Sequence, residues 1–250
     1  MVEKYERVDF MSTYGVVPFS IWESDDPKFS NPILKHLKER QGESTRENTL
    51  KSFGGAGENT AYTATTSYFN PKLCKIIYSS YCPKNGTIFD PFSSVVRPYM
   101  AKILDYNYVG CEVRKDECDK INKMLNTNSL FEESDVRVLN MDCREFETDQ
   151  KFDLVFTCPP YWNLETYSEQ DNDLSSIADY SDFLTEMSKV YSKCSSLMHD
   201  ESYCCFVVAD FRDYSEGRKL INRLVPFVSD MIRCGEESGL SLYDKVIVKK

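Results

Sequence analysis

Histidine is almost missing from this chain: its 250 residues hold only His36 and His199. The ten cysteines, at 74, 82, 111, 118, 143, 158, 194, 204, 205 and 234, never form a Cys-x-x-Cys pair. Zinc sites draw on closely spaced Cys or Cys/His pairs, so no metal is expected. No apolar run approaches the ~18–20 residues of a membrane-spanning helix, and the opening MVEKYERVDF lacks the apolar stretch of a secretory signal. The expectation is a chain without membrane association and with reduced thiols, intracellular in the cytoplasm or at the nucleoid. Positive charge is also short, with 30 Lys and Arg against 40 Asp and Glu, a net charge of −10. That balance excludes a protein that holds nucleic acid by broad charge neutralisation, while leaving room for a small basic patch or a basic partner.

What the chain does contain is alternation. From about residue 72, strand-like and helix-like stretches take turns. KLCKIIYSSY (72–81) has helical spacing, and Pro83-Lys84-Asn85-Gly86 is a turn cluster. TIFDPF, YNYVGCEV, VRVLNMD, FDLVFTCPP, SYCCFVVADF and the closing LYDKVIVKK read as strands. Residues 97–105, 116–124, 180–198 and 220–232 read as helices between them. Such alternation implies βαβ units, a mostly parallel sheet covered on both faces, and right-handed crossovers, hence a doubly wound α/β fold. Residues 1–60 differ, as an N-terminal extension with a glycine-bearing polar stretch at 41–60 that reads as a flexible loop. The domain proper is expected over 61–250.

In a doubly wound sheet, ligands lie outside the carboxyl ends of the strands. Four such ends carry chemistry. Asp90 ends TIFD and is followed by Pro91, Phe92 and Ser93, a turn that could take a nucleotide-like cofactor or simply cap a helix. Glu112 follows 22 residues later, the offset of a ribose-binding carboxylate, with a solvated acid beside Arg114 as the plainer alternative. Asp142 in MDCREF suits an adenine amino group or, equally, a helix N-cap. Cys158-Pro159-Pro160-Tyr161-Trp162 is more specific: prolines fix φ and aim carbonyls rigidly, and Tyr161 offers a face for a flipped-out base. The plainer alternative is a rigid turn with Tyr161 and Trp162 as lid residues. Arg97, Arg114 and Lys115 could touch phosphate but read more plainly as a solvated charged face, and His36 reads as a surface helix residue.

The order of these segments resembles the amino-directed DNA methyltransferases, the adenine-N6/cytosine-N4 class, and among them the small phage-type members. The resemblance rests on GVVPFS, TSYFNPKLC, TIFDPFSSVVRPYMAKILDYNYVGCEVR, FDLVFTCPPYWNLETYS, SYCCFVVADFRD and GLSLYDKVIV. It implies the Rossmann-like class I methyltransferase fold and S-adenosyl-L-methionine as cofactor. Asp90, Pro91 and Phe92 would line the methionine end and Ser93 its turn, Glu112 would hold the ribose, and Asp142 would read the adenine. Thr66, Ser67 and Phe69 would contact the carboxylate end. Cys158 and the Pro159 carbonyl would accept hydrogen bonds from the target amine, with Pro160 stiffening the hook and Tyr161 stacking on the base. DNA is the implied partner, reached weakly or through a second chain given the acidic balance; a protein partner or homodimer fits as well. A phage or viral host cell is an implied setting.

The chain departs from the family pattern in three ways. The cofactor turn Ser93-Ser94-Val95-Val96 has no glycine, so a residue forced to φ > 0 there would cost of order 1 kcal/mol. Cys158 stands where the family carries a stronger acceptor. The usual last strand is expected to be absent, which would leave a sheet edge to be covered or paired. These departures keep a rival in view, a catalytically weak or inactive methyltransferase-like subunit that binds or scaffolds a partner. A third reading, methylation of a protein glutamine amide, is disfavoured by Cys158 in place of Asn.

Overall fold

The computed structural model describes residues 21–23, 69–126, 134–164, 167–168, 170–213 and 223–249. Apart from Ile21–Glu23, the N-terminal extension with its 41–60 loop lies outside them, as do His36, Thr66 and Ser67.

The elements are β1 (Ile21–Glu23), α1 (Pro71–Tyr81), β2 (Thr87–Asp90), α2 (Val96–Ile103), β3 (Asn107–Glu112), α3 (Lys115–Asn126) and β4 (Val136–Asn140). They continue as β5 (Phe152–Thr157), α4 (Tyr180–Leu197), β6 (Met198–Phe206), β7 (Phe211–Asp213), β8 (Arg223–Val225), α5 (Phe227–Glu237) and β9 (Ile247–Lys249). Short 3-10 turns follow β4 at Cys143–Glu145 and β5 at Trp162–Leu164.

Five strands form one parallel sheet in the order β4-β3-β2-β5-β6. The order reverses at β2, whose neighbours are β3 on one side and β5 on the other, so the switch point lies beside the end of β2. Successive strand residues point to opposite faces, and both faces are dry. Phe89, Val109 and Val155 pack with α4 and α5, while Ile88, Tyr108 and Phe156 pack with α1, α2 and α3. This is the doubly wound parallel sheet that the alternation implies, and continuous apolar runs in β2 and β5 are what two-sided burial requires.

Local chemistry sets the helix starts. Pro71 occupies the first turn of α1, where its missing N–H costs nothing, and Asn70 caps it by accepting from Lys72 N at 2.9 Å. Asp179 caps α4 through Ser181 N and Asp182 N. The helix expected at 220–232 is displaced. Arg223–Val225 is extended and pairs antiparallel with Phe211–Asp213, and the helix begins only at Phe227. Pro226 explains this, because it cannot donate to the preceding turn and biases Val225 toward extended backbone.

β6 is an outer strand of the sheet, and it starts at Met198, earlier than the sequence suggests, through a register irregularity beside Glu201 (φ 66°). Cys204 and Cys205 face opposite sides of it and each joins the core on its own side. The closing strand β9 pairs in parallel with β1 in a separate two-stranded sheet. No helix among the described residues is long and apolar enough to cross a membrane.

Candidate functional site

The turn after β2 solves its glycine deficit without strain. No residue from 91 to 96 has a positive φ, so the anticipated cost of a left-handed non-glycine does not arise. The glycine sits instead on the neighbouring strand. A Cβ on Gly110 would lie 2.6 Å from Ser93 Oγ and 2.7 Å from Ser93 Cβ, so the bare backbone of β3 is what lets the turn fold down. Ser93 N then donates to the Cys111 carbonyl at 2.8 Å.

Asp90 faces inward. Its carboxylate is fully buried and saturated by protein donors. Oδ1 accepts from Phe92 N at 3.1 Å and from Thr157 Oγ1 at 2.5 Å; Oδ2 accepts from Arg97 Nε at 2.6 Å and from the Tyr108 hydroxyl. Since the Tyr108 proton goes to Asp90, Ser93 Oγ, 3.0 Å from the Tyr108 oxygen, is the donor of that pair. The Asp90 side chain, expected at the methionine end of the cofactor, is thus placed among protein donors. It is a hub that ties the turn after β2 to the end of β5, and Pro91, Phe92 and Ser93 beside it line the cleft. Arg97 is corrected: rather than lying on a solvated face, it is 2% exposed. Burial alone would lower its pKa, but Asp90 outweighs this and holds the guanidinium protonated.

Glu112 closes β3 and stands half-engaged. Oε1 accepts from Arg114 N at 2.9 Å, with Arg114 Nε at 3.4 Å, while Oε2 accepts nothing among the described residues. Burial raises its pKa against the opposing pull of Arg114. Asp142 is closed off. Its oxygens cap the 3-10 turn through Arg144 N at 2.9 Å and are gripped by the Arg144 guanidinium, which also binds Glu186. Of its two sequence readings, the geometry displays the cap rather than an open acceptor for adenine.

The proline hook leaves the end of β5. Trp162 is no lid residue: it is buried, in left-handed backbone (φ 51°), and its indole N–H donates to the Ile177 carbonyl at 2.9 Å. That anchor turns the chain sharply after Tyr161. The Tyr161 ring leans on Phe227 and Phe211, with centroids at 5.1 and 6.1 Å, so part of its surface is already covered by core aromatics.

Phe69, Ser93, Glu112, Asp142, Cys158 and Tyr161 all line one cleft at the carboxyl ends of the strands. Its volume of about 1920 Å³ exceeds the ~300–1000 Å³ of a small-molecule pocket, because it runs on as a groove past β6 toward residues 239–248. Two features fit an adenosyl ligand: the open Oε2 of Glu112, and Ser94 Oγ, a buried polar atom with no hydrogen-bond partner. Sequence reasoning missed Ser94, Gly110 and Arg97 as parts of the site. Only Gly110 carried a visible signal, as a glycine inside a strand that marks a close backbone approach.

No protein-family profile and no curated protein sequence matches the chain. Solved structures similar to it include an S-adenosylmethionine-dependent methyltransferase from Clostridium acetobutylicum (12% identity, 53% of this chain and 45% of that one, TM-score 0.36). The N-methyltransferase NodS from Bradyrhizobium japonicum is another (13%, 55% and 65%, TM-score 0.38). A third is an O-methyltransferase from a polyketide multienzyme of Brevibacillus brevis, complexed with S-adenosyl-L-homocysteine (10%, 61% and 46%, TM-score 0.39). The chain spans about half the length of the first and third of these and 65% of NodS. Likeness at this distance carries no activity across.

Proposed function

We propose that the chain is an S-adenosylmethionine-dependent methyltransferase acting on the exocyclic amino group of adenine (N6) or cytosine (N4) in DNA. The observation that carries this reading is the convergence, at the switch point of one parallel sheet, of a cofactor-type turn, an open ribose-type carboxylate and a rigid Cys-Pro-Pro-Tyr hook. S-adenosylmethionine, when bound, would supply a methyl group made electrophilic by its sulfonium. The chain's own contributions are placement and hydrogen bonding. Glu112 Oε2 accepts ribose hydroxyls, and Pro91 and Phe92 give an apolar wall. Cys158 and the Pro159 carbonyl would accept hydrogen bonds from the two amine N–H groups, which turns the nitrogen lone pair outward along one line, and the proton released once the nitrogen is methylated would pass to solvent. Pro160 and the Trp162 anchor keep that line fixed, and Tyr161 offers its exposed edge to the base. Fixed geometry of this kind supplies acceleration without a covalent intermediate.

The direct test incubates the protein with methyl-labelled S-adenosylmethionine and single-stranded or duplex DNA, then digests to nucleosides. Label in N6-methyladenine or N4-methylcytosine supports the reading, and Tyr161→Ala should lower transfer strongly while sparing cofactor affinity. A second reading, a methyltransferase-like subunit that binds a partner without turnover, is favoured by the closure of Asp142 by Arg144. Calorimetry with millimolar S-adenosylmethionine separates the two, since absence of heat leaves only the second.

A further inference from the structure

β6 brings a carboxylate of its own to the carboxyl end of the sheet. Beyond Phe206, Asp210 lines the cleft from an exposed position, and its contacts put it beside the hook. β5 and β6 pair as far as Thr157 and Phe206, and the ladder runs one step further, Val207 N donating to the Thr157 carbonyl at 2.9 Å. The Tyr161 hydroxyl stands 3.5 Å from the Val207 carbonyl, and the Tyr161 and Phe211 rings lie 6.1 Å apart. The stretch from Val207 to Phe211 therefore bends around Tyr161, with Asp210 within it. The carboxylate is also held in place. Oδ1 accepts from Val228 N at 2.9 Å, next to Phe227, whose ring lies 5.1 Å from that of Tyr161.

Its charge sets it apart. Asp90, Glu112 and Asp142 each have a cationic partner, in Arg97, Arg114 and Arg144. Asp210 has none among the described residues. An anion without a counter-cation is suited to a site where positive charge develops. Methyl transfer creates such a site, because the positive charge moves from the sulfonium to the attacking nitrogen. The hook has only a cysteine sulfur, a weak acceptor, and a neutral carbonyl to meet that charge.

We propose that Asp210 is the charged acceptor for the target amine, a role that rests on the methyltransferase reading. The nitrogen lone pair forms the new N–C bond as the C–S bond breaks, and the electrons of that bond stay on sulfur. The nitrogen is left positively charged with a surplus proton. Asp210 Oδ2 stabilises this charge as it grows, takes the proton and, being exposed, passes it to water.

Steady-state methyl transfer to DNA by the intact chain tests the assignment. Asp210→Asn keeps an oxygen for Val228 N and removes the charge. Its kcat should fall about 100-fold, while KM for DNA and calorimetric affinity for S-adenosylhomocysteine stay within about twofold and the melting temperature holds. Cys158→Asp, added to Asp210→Asn, returns a carboxylate to the amine from the hook and should raise kcat about tenfold or more. A residue that served only to hold the start of α5 would not be replaced by a carboxylate at position 158. Asp210→Ser, which also keeps an acceptor for Val228 N, repeats the comparison if Asp210→Asn folds poorly. An unchanged kcat in Asp210→Asn, or a fall that Cys158→Asp does not recover, overturns the Asp210 assignment and spares the methyltransferase reading. Absence of methyl transfer by the wild type overturns both.

Discussion

Asp90 and Glu112 end adjacent strands, yet their surroundings give them opposite work. Asp90 is surrounded by donors and holds a buried positive charge, so its removal strands Arg97. Asp90→Asn should therefore lower stability by about 3–5 kcal/mol, the cost of breaking a buried ion pair from one side, seen as a lower urea midpoint with or without ligand. A protein that keeps its stability and loses only ligand affinity would return Asp90 to the cleft wall. Glu112 is the reverse case. Burial makes its carboxyl hold a proton more tightly folded than unfolded, so stability falls as pH rises from the unfolded pKa through the folded one. Over the same window the ionised form gains strength as an acceptor, so adenosyl affinity should rise with pH. Glu112→Gln should abolish that pH dependence, weaken adenosyl ligands about tenfold, and leave the melting temperature at neutral pH equal or higher. Calorimetry and melting curves between pH 4 and 8 check all three.

At the scale of elements, the site depends on how closely β3 and the turn after β2 approach each other. Gly110→Ala would place a methyl within 2.6–2.8 Å of Ser93 and Tyr108. The expected cost is about 1–3 kcal/mol of overpacking, with weaker adenosyl binding because Ser93 and Ser94 are pushed outward. Denaturant midpoints and calorimetry on the same variant test this. The elements themselves were largely legible in the sequence. Helical spacing over 72–81 and the Pro-Lys-Asn-Gly turn placed α1 and β2 within a residue or so, because periodicity and turn chemistry act over a few residues. The helix at 220–232 was misplaced because apolar spacing was weighed above Pro226. The conformation of 91–96 was misjudged because absence of glycine in a turn was equated with strain, whereas the relief lies on another strand.

For the molecule as a whole, burial governs thiol chemistry. None of the ten cysteines forms a disulfide, and burial raises the pKa of nine of them, Cys205 to about 12 and Cys74, Cys82, Cys194 and Cys204 among the others. Those nine should react with an aromatic disulfide reagent at pH 8 only as the protein unfolds, since thiolate is the reactive form. Any fast class should contain no more than Cys158, on the cleft wall, and an adenosyl ligand should protect it. Several fast thiols in the folded protein, counted by absorbance, would contradict the packing described.

Sequence alone determined the alternation of strands and helices, the two-sided sheet it implies, and the strand ends where Glu112 and Cys158-Pro159-Pro160-Tyr161 would meet, because these follow from short-range periodicity and turn chemistry. Tertiary structure alone decided which carboxylate faces a ligand and which faces the core. Asp90 draws its partners from residues 2, 7, 18 and 67 positions away, and no local pattern in a chain reports donors gathered over such spans. The same is true of Arg97, whose charge reads as a surface feature in the sequence. Its place beneath the cleft is set by the Asp90 carboxylate, without which burying a guanidinium would be prohibitive.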